Sequence, residues 1–488
     1  MLKIGDYVSL TYVDEQDIIH RRYVGEVGVF QGNSDDDYAK VRFPDWSEYL
    51  VNKSSLNLCR VATAESILYA YCCENDLDLL DRLNEFMNEK RCFPIKVAII
   101  DADLIGRQKH RFPNLVCMKL SAYYKSLGAE VKLKLDYENL DTYDKVTISK
   151  VFMDTEIPFE PEDKSLKTEA TIDLFYKDNP ILNLPNVQYG GTGFYYDRSP
   201  KLQEDIEHIM PDYHLYDDWV KHQIENGTKP KDLTYYTDWS IGFTTRGCIR
   251  QCAFCVNKNY KKCELHSPLS EFVDESRPYI CLLDDNILAC PKWRDVFNEL
   301  AKTGKRFQFK QGVDERLLTD EKCEVLFNCK WIGDRIFAFD NIKDKDLIIN
   351  RLEMIRRHTN QVIKFYTFCA FNHDNPNHYD EAFYKKDIED LFERIKILME
   401  YGCLPYIMRY KDYEISPYRG IYTTISRWCN QPSFFKKKSL REFALANQAR
   451  TKIKCADMRN IEKIENDFPD IAEKYFDMKF ECLNRFKA

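Results

Sequence analysis

The sequence predicts an α/β protein of several domains, in which strands and helices alternate over most of the chain. Two observations carry this prediction. From Pro94 onward, short apolar runs of strand length alternate with segments of helical periodicity, a pattern typical of parallel sheets covered by helices. The chain also has 488 residues, of which 44% are hydrophobic and 14% aromatic, so it is long enough to bury more than one core.

The N-terminal segment differs from the rest because its residues alternate like strands without intervening helices. Strand patterns cover 4–12, 23–30 and 38–43, and the polar residues 32–37 predict a turn. The segment resembles small SH3-like barrels of the KOW or Tudor type, some of which bind RNA or proteins. Residues 61–93 are then predicted to be helical.

A parallel α/β arrangement is predicted to begin at residue 94. Strands are expected at 97–100, 130–136 and 145–152. A helix is expected to begin near Pro113, because proline is favoured in the first turn of a helix. The order of these elements resembles one half of a Rossmann-like domain.

Two features of this segment resemble a cobalamin-binding domain. Asp101-Ala-Asp103-Leu-Ile-Gly106 follows the first strand, where such domains carry D-x-H-x-x-G, and a glycine-rich stretch occupies 190–193. The position of the cobalt-binding histidine holds Asp103, which has no imidazole to offer. Cobalamin is therefore disfavoured as a cofactor, and we expect this degenerate domain to act as a scaffold beside the catalytic domain.

A strand-then-helix pattern repeats six times in the next segment of the chain. The predicted strands cover 240–244, 278–286, 306–316, 335–341, 362–369 and 404–410. The clearest helix between them covers 343–358. The six units resemble a partial (β/α)6 TIM-like barrel, a fold that carries its chemistry at the carboxyl ends of the strands.

Three cysteines follow the first of these six strands. Cys248, Cys252 and Cys255 have the spacing C-x3-C-x2-C, with Phe254 just before the last of them. Three closely spaced thiolates can bind three irons of a [4Fe–4S] cubane, which usually takes four cysteines. The fourth iron then stays open to bind another molecule, so the pattern predicts a cluster that takes part in chemistry.

A structural zinc site is the main alternative for these cysteines. Zinc requires four tetrahedral ligands, commonly from two separated cysteine pairs. The loop has a single C-x2-C pair, so the fourth ligand would have to be Cys263 or His266. A disulfide is less favoured, because the chain has no secretory signal.

The cysteine motif resembles the signature of the radical S-adenosylmethionine (SAM) superfamily. The preceding residues Thr245-Arg246-Gly247 are similar to the subset that includes methylthiotransferases and enzymes with cobalamin domains. The resemblance implies that the open iron chelates SAM, and that the reduced cluster cleaves SAM to methionine and a 5′-deoxyadenosyl radical. That radical would abstract a hydrogen atom from a substrate. A one-electron reductant such as flavodoxin or ferredoxin is the implied partner.

The resemblance also assigns SAM-binding roles to residues near the strand ends. Asp284, Asp285 and Asn286 match the region that contacts the SAM amino group, and Phe254 matches a position close to the adenine. Each carboxylate could instead cap a strand end or form an ion pair. No residue is assigned to catalysis on the substrate. Gln311, Asp314 and Arg316 are candidates for binding SAM or the substrate, and Asp340 and Asn341 match positions where contacts with the ribose or the methionine part of SAM are usual.

Charge and cysteine content indicate the setting of the protein. The net charge of −8 disfavours broad non-specific attraction to nucleic acid, although basic residues cluster around the cysteine loop and at 436–438. No signal peptide or 18-residue apolar run is evident, so a cytoplasmic location without membrane contact is expected. Eighteen cysteines without a pairing pattern suit a reducing cytosol.

We therefore predict a cytoplasmic radical SAM enzyme whose substrate is unidentified, with RNA or a polypeptide favoured over a free metabolite. Methylthiolation is disfavoured, because the N-terminal cysteines form no second three-cysteine set. The alternatives are a cobalamin-dependent radical SAM methyltransferase and, from another class, a zinc-stabilised nucleic-acid-binding protein. The predicted domains are an SH3/KOW-like β module at 1–60, a helical linker at 61–93, a Rossmann-like domain at 94–232, a radical SAM barrel at 233–430 and a helical C-terminal extension at 431–488.

Overall fold

The chain divides into two compact units. Unit 1 comprises 1–108, 120–167 and 173–190, and unit 2 comprises 109–119, 168–172 and 191–488. The predicted helical linker at 61–93 lies outside the residues that the structure describes. Among the described residues, no helix is long and apolar enough to cross a membrane. The computed structural model describes residues 7–10, 27–33, 38–42, 48–52, 56–58, 95–107, 110, 112–257, 260–376 and 378–486.

Unit 1 begins with a five-stranded antiparallel sheet of order β4-β3-β2-β1-β5. The predicted β character is confirmed, while the SH3-like assignment stays a prediction. Gly32 and Asn33 continue the second strand, although we expected them to begin a turn, and the pairing register shifts between Phe30 and Gly32. The strands are β1 (Tyr7–Leu10), β2 (Val27–Asn33), β3 (Tyr38–Arg42), β4 (Glu48–Asn52) and β5 (Leu56–Leu58).

A four-stranded parallel sheet of order β7-β6-β8-β9 follows in unit 1. Five of the six residues of β6 are buried, as expected for a central strand covered on both faces. The third predicted strand ends early at Ser149. Lys150 N still donates to Gly190 O, but the N–H groups of Val151 and Phe152 turn away to the carboxylate of Asp103. The strands are β6 (Lys96–Asp101), β7 (Glu130–Leu133), β8 (Lys145–Ser149) and β9 (Val187–Gly190).

Short helices accompany these strands and lead into unit 2. Asp101 begins the first of them by accepting the N–H of Leu104 at 3.2 Å, which satisfies one of the free donors at a helix start. The helices are α1 (Ala102–Gly106), α2 (Leu115–Ser126), α3 (Ile172–Tyr176), α4 (Thr192–Tyr195), α5 (Glu204–Glu207), α6 (Asp217–Glu225) and α7 (Thr234–Thr237).

Unit 2 contains the six predicted strands in chain order, all parallel to their neighbours, which confirms an α/β protein with parallel sheets. They form two three-stranded sheets, β10-β13-β14 and β15-β16-β17, and a two-stranded hairpin, β11-β12, lies outside both. The strands are β10 (Trp239–Gly242), β11 (Thr245–Arg246), β12 (Glu264–Leu265), β13 (Tyr279–Leu282), β14 (Arg306–Phe309), β15 (Ile336–Ala338), β16 (Lys364–Cys369) and β17 (Leu404–Arg409).

The two sheets are separate because the segment between them is broken. Trp331 forms a single parallel bridge with Phe307 of β14. Gly333 then adopts φ +79°, and pairing with β16 begins only at Ile336. The sequence pattern predicted one continuous series of six strands; the partial (β/α)6 barrel stays a prediction.

Helices pack against one apolar cluster that includes both sheets. The cluster contains Phe307 and Phe309 of the first sheet and Phe337 and Phe365 of the second. The predicted helix at 343–358 is present. The helices between the strands are α8 (Trp293–Lys302), α9 (Asp320–Asn328), α10 (Lys345–His358) and α11 (Glu381–Glu400).

The C-terminal part of the chain is helical, as predicted. Its helices share a second apolar cluster with α11 and β17; this cluster contains Ile395 and Ile407 together with Ile464 and Phe476. Ser439 begins one of these helices with a capping box, in which Ser439 and Glu442 each accept the other's backbone N–H. The helices are α12 (Arg419–Cys429), α13 (Pro432–Phe435), α14 (Leu440–Gln448), α15 (Ala456–Asp467), α16 (Pro469–Tyr475) and α17 (Phe480–Leu483).

Candidate functional site: the cysteine loop

The loop that carries the three cysteines is closed at its base by the β11-β12 hairpin. Thr245 pairs with Leu265 and Arg246 with Glu264, so the described residues 247–257 and 260–263 lie in one segment that this hairpin closes. Cys248 N donates to Tyr260 O at 3.1 Å. This geometry explains why a glycine directly precedes Cys248. Gly247 has φ +100°, and a Cβ there would lie 1.9 Å from Lys262 O.

Asp284 fastens the start of the loop to the end of β13. Its carboxylate accepts four hydrogen bonds of 2.5–2.9 Å, from the backbone N–H and the hydroxyl of both Thr244 and Thr245. The neighbouring Asp285 accepts the N–H of Gly247 at 2.8 Å. Burial raises the pKa of Asp284 to about 6, although the four donors lower it. These contacts give both carboxylates a structural task next to the cysteines; their predicted contact with SAM stays a prediction.

The sulfur atoms of two cysteines accept hydrogen bonds. Cys248 Sγ accepts from Arg250 N and from Asn286 Nδ2, both at 3.4 Å, and Cys255 Sγ accepts from Asn257 N at 3.4 Å. Such donors favour the thiolate form that binds metal. Burial raises the pKa of the Cys252 thiol to about 11, while the positive charge of Arg316 lowers it.

In the described ranges, no group of three or more His, Cys, Asp and Glu side chains is arranged so that it could hold a metal ion. A cubane makes a different demand, because each thiolate binds its own iron and the three sulfur atoms need not converge on one point. The three half-buried thiols, with N–H groups directed at Cys248 and Cys255, fit the chemistry of that ligand set. The buried Asn286 Oδ1 accepts no hydrogen bond from the described residues, so this site keeps an unused acceptor.

A charged network lies beside Cys248. Asp314 accepts from Arg250 Nε at 2.7 Å, from Arg316 Nε at 2.8 Å and from Asn286 Nδ2 at 3.1 Å. Burial raises the pKa of Asp314, but the two guanidinium groups outweigh it and hold that pKa below its usual value. The structure therefore brings three of the predicted residues, Asn286, Asp314 and Arg316, together next to the cysteine loop.

The other predicted residues have separate surroundings. Phe254 packs its ring 4.3 Å from Phe368 and also contacts Phe371. Asp340 accepts the N–H of Phe368 at 3.1 Å, and burial raises its pKa to about 6. Asn341 caps a short 3-10 helix by accepting Lys343 N at 3.0 Å, and Gln311 is exposed in a turn.

The sequence analysis missed the hydrogen-bonding role of Thr244 and Thr245 and the pairing of Arg250 with Asp314. A usable signal existed for the first. Because β10 and β13 are parallel neighbours, the residues after their carboxyl ends meet at one edge, which places the two threonines opposite Asp284. Arg250 offered no comparable signal, since its partner lies 64 positions away in the chain.

In unit 1, Asp103 occupies the position where cobalamin domains carry the cobalt-binding histidine. It is buried, and its carboxylate accepts from Val151 N at 2.6 Å, from Thr155 Oγ1 at 2.5 Å and from Phe152 N at 3.4 Å. Gly106 lies under the same loop, since a Cβ there would be 2.7 Å from Thr155 Cγ2. Asp103 therefore fastens the loop after β8.

Comparison with solved structures finds distant likenesses. The radical S-adenosylmethionine methyltransferase TsrM from Kitasatospora setae, solved with cobalamin and a [4Fe–4S] cluster, matches 65% of this chain and 75% of its own, with 11% identity and a TM-score of 0.39. The cobalamin-dependent S-adenosylmethionine radical enzyme OxsB, solved with aqua-cobalamin, matches 92% of this chain and 64% of its own, with 11% identity and a TM-score of 0.27. Both TM-scores are too low to carry an argument about fold or function.

No protein-family model and no curated protein matches the chain. Both of these proteins were solved with cobalamin, and the expectation that cobalamin is disfavoured in this chain stays an unsupported prediction.

Proposed function

We propose that this chain is a radical SAM enzyme that holds a [4Fe–4S] cluster at Cys248, Cys252 and Cys255 and binds SAM at the open iron. The observation that carries the proposal is the C-x3-C-x2-C motif. It lies on one loop, closed by the β11-β12 hairpin, that follows the first of six parallel strands. When bound, the cluster supplies one electron that cleaves SAM to methionine and a 5′-deoxyadenosyl radical.

The chain's own residues would hold and tune the three thiolates. Asn286 donates to Cys248 Sγ and so holds that sulfur in place at the start of the loop. Arg316 places a positive charge near Cys252, and Asp314 keeps the Arg316 side chain in position through its Nε. The buried carboxylate of Asp284 orients the start of the loop.

The cluster is tested by metal analysis of anaerobically reconstituted protein. We expect about four irons and four sulfides per chain, as in a cubane. Cys252→Ala removes one of three ligands and should lower both values sharply. Cys329→Ala is the matched control, because the half-buried Cys329 donates to Leu326 O and lies outside the motif. Stoichiometric zinc with little iron would contradict the proposal.

Activity is tested by incubating the reconstituted protein with SAM and dithionite. We expect slow formation of 5′-deoxyadenosine and methionine, which each single Cys→Ala change in the motif should abolish because it removes a ligand of the electron source. Protein with an intact cluster that neither binds nor cleaves SAM would disprove the radical SAM assignment, whatever its iron content.

The zinc alternative receives no support from the two candidate fourth ligands. The Cys263 thiol is buried and donates to Asn286 O at 3.1 Å, and burial raises its pKa to about 12. His266 contacts Ser267 Oγ at 3.0 Å through Nδ1, while its Nε2 lies 3.6 Å from a carboxylate oxygen of Glu207. Both side chains thus have partners other than the three motif cysteines.

A cobalamin-dependent methyltransferase is the alternative within the same superfamily. The contacts of Asp103 favour a scaffold role for unit 1, because that side chain is engaged with the loop after β8. The deciding measurement is cobalt after gel filtration of protein expressed with hydroxocobalamin. We expect substoichiometric cobalt; near-stoichiometric cobalt would establish cobalamin binding and favour methyl transfer.

The remaining expectations belong to the same proposal. They are a cytoplasmic location, a flavodoxin or ferredoxin as the electron donor, RNA or a polypeptide as the substrate, and the division into five segments predicted from the sequence. Anaerobic co-purification followed by identification of bound material tests the substrate class directly.

A further inference from the structure

Each of the two three-stranded sheets of unit 2 has one apolar face and one face with polar and aromatic side chains. Phe307, Phe309 and Phe365 point into the shared apolar cluster. The alternation of side chains along a strand places Gln308 and Tyr366 on the opposite faces, where both are half-buried. Those opposite faces carry polar and aromatic groups, and Gln308 and Tyr366 lie outside the apolar cluster.

Lys310 is a half-buried cation with neutral partners at the end of β14. Its Nζ donates to Tyr235 Oη at 3.0 Å and lies 4.4 Å from the centroid of the Tyr235 ring and 5.4 Å from that of Phe112. No carboxylate among the described residues forms an ion pair with it. By contrast Lys364, which lies on the same face of β16 as Tyr366, forms an ion pair with Asp334. A cation that is partly removed from water without a counter-charge favours a negatively charged ligand.

The hydrogen-bond inventory around Tyr235 also favours an anion. The phenol oxygen accepts from both Lys310 Nζ and Gln308 Nε2, the latter at 2.6 Å. Within the described part of the chain, no group accepts the Tyr235 O–H. The Lys310 ammonium has three N–H groups and uses one of them on Tyr235. Donors therefore exceed acceptors at this point, which is the composition of an anion site.

Flat aromatic surfaces adjoin this pair of donors. Tyr235 stacks 5.0 Å from Trp239, which lies 5.1 Å from Tyr279. Tyr366 lies 5.7 Å from the exposed Tyr406. Burial raises the pKa of Tyr366, and the nearby Tyr406, Asp334 and Tyr235 raise it further. Such rings provide stacking surfaces for another planar group.

We propose that Lys310 and Tyr235 bind a negatively charged group, a phosphate or a carboxylate, that is attached to a planar aromatic ring. The anion accepts from the Lys310 ammonium and the Tyr235 O–H, and the ring packs against the neighbouring aromatic side chains. That this ligand is the substrate of the enzyme rests on the proposed function; the binding site itself does not.

The test is a titration of the full-length chain with matched probes. Binding is measured by calorimetry or by the intrinsic fluorescence of Trp239 and its neighbours. Adenosine 5′-monophosphate is compared with adenosine, and indole-3-acetate with 3-methylindole. We expect the charged member of at least one pair to bind about tenfold more tightly or better, the range of a hydrogen bond to a charged group. Binding of the phosphate alone or of the carboxylate alone supports the site and identifies the source of the anion.

Variants of three residues locate the effect. Lys310→Met should abolish the preference for the charged probe, and Lys310→Gln serves if the methionine variant does not fold. Tyr235→Phe removes one donor and should weaken binding of the charged probe about three- to tenfold, the range of one hydrogen bond. Lys364→Met is the control and should leave the preference unchanged.

Equal affinity for charged and neutral probes would overturn the proposal, and so would a folded Lys310 variant that keeps the preference. If Lys310→Met weakens SAM binding but not the binding of either charged probe, Lys310 belongs to the SAM site and the inference is wrong. Failure of the proposed function is seen separately, in the iron content and SAM cleavage of the unchanged chain.

Discussion

Carboxyl groups near the cysteine loop differ in charge because their surroundings differ. Asp314 is held ionised by Arg316 and Arg250, which outweigh its burial. Glu315, the next residue, is buried: Oε2 accepts Ala338 N at 3.0 Å, whereas Oε1 lies 3.8 Å from Arg316 Nε without a hydrogen bond. Burial raises the pKa of Glu315 to about 8, so adjacent carboxyl groups have opposite protonation at neutral pH.

This difference predicts a pH dependence of stability. The folded chain keeps the proton of Glu315 up to about pH 8, whereas the unfolded chain releases it near the ordinary glutamate pKa of about 4.3. The free energy of unfolding therefore falls as the pH rises through that window. In Glu315→Gln, a neutral side chain of the same shape, that fall should be shallower in urea titrations between about pH 5 and pH 8.

The exposed Glu299 provides the control, and Glu299→Gln should leave the pH profile unchanged. Parallel profiles for the unchanged chain and Glu315→Gln would show that the Glu315 carboxyl is ionised in the folded protein.

At the scale of elements, the cysteine loop depends on contacts that hold its two arms together. The hairpin β11-β12 closes its base, Asp284 fastens its start, and Gly247 allows the arm that ends at Lys262 to approach closely. A loop fixed in this way keeps its thiols in place before metal binds, which reduces the ordering cost of assembling a cluster.

Gly247→Ala should open the loop. The added Cβ cannot occupy a position 1.9 Å from Lys262 O, and φ +100° is unfavourable for alanine, so the backbone must shift. We expect a loss of at least about 2 kcal/mol of stability, with a marked drop in iron content after reconstitution.

Gly227→Ala separates the two causes, because Gly227 has φ +88° and no atom within 4 Å of its Cβ position. This variant should lose about 1 kcal/mol and retain its iron. Equal effects of both changes on iron content would show that the contact with Lys262 is not needed for the cluster.

At the scale of the whole molecule, the C-terminal helices are part of a core that also contains strands of unit 2. Phe476 is fully buried, its ring lies 5.6 Å from that of Phe392 in α11, and both belong to the cluster that includes Ile407 of β17. The helices after residue 430 are therefore bound to the sheet by shared apolar packing.

Phe476→Ala should destabilise unit 2 by about 3–5 kcal/mol, the usual cost of removing a buried phenylalanine ring. The loss of stability is measured by thermal unfolding, monitored through intrinsic fluorescence. Ile453→Ala is the control, since Ile453 is 76% exposed and should change stability by less than about 0.5 kcal/mol. A Phe476→Ala protein with unchanged stability would mean that the C-terminal helices contribute little to the core.

The sequence by itself determined the α/β class, the six parallel strands of unit 2, the helix ending at His358 and the helical C-terminal part. These features follow from local periodicity, which depends on residues close together in the chain. The cysteine spacing likewise identified the candidate ligands, because all three lie within one short loop.

Only the tertiary structure decided which distant side chains meet. It placed Asp284 against two threonines about forty positions away, engaged Asp103 with the loop after β8, divided the six strands into two sheets at Gly333, and left Lys310 beside Tyr235 with no counter-ion among the described residues. Each depends on a contact between residues remote in sequence, and periodicity and spacing carry no information about such contacts. Burial and charge pairing, which set the pKa values of Asp284, Asp314 and Glu315, arise only from that packing.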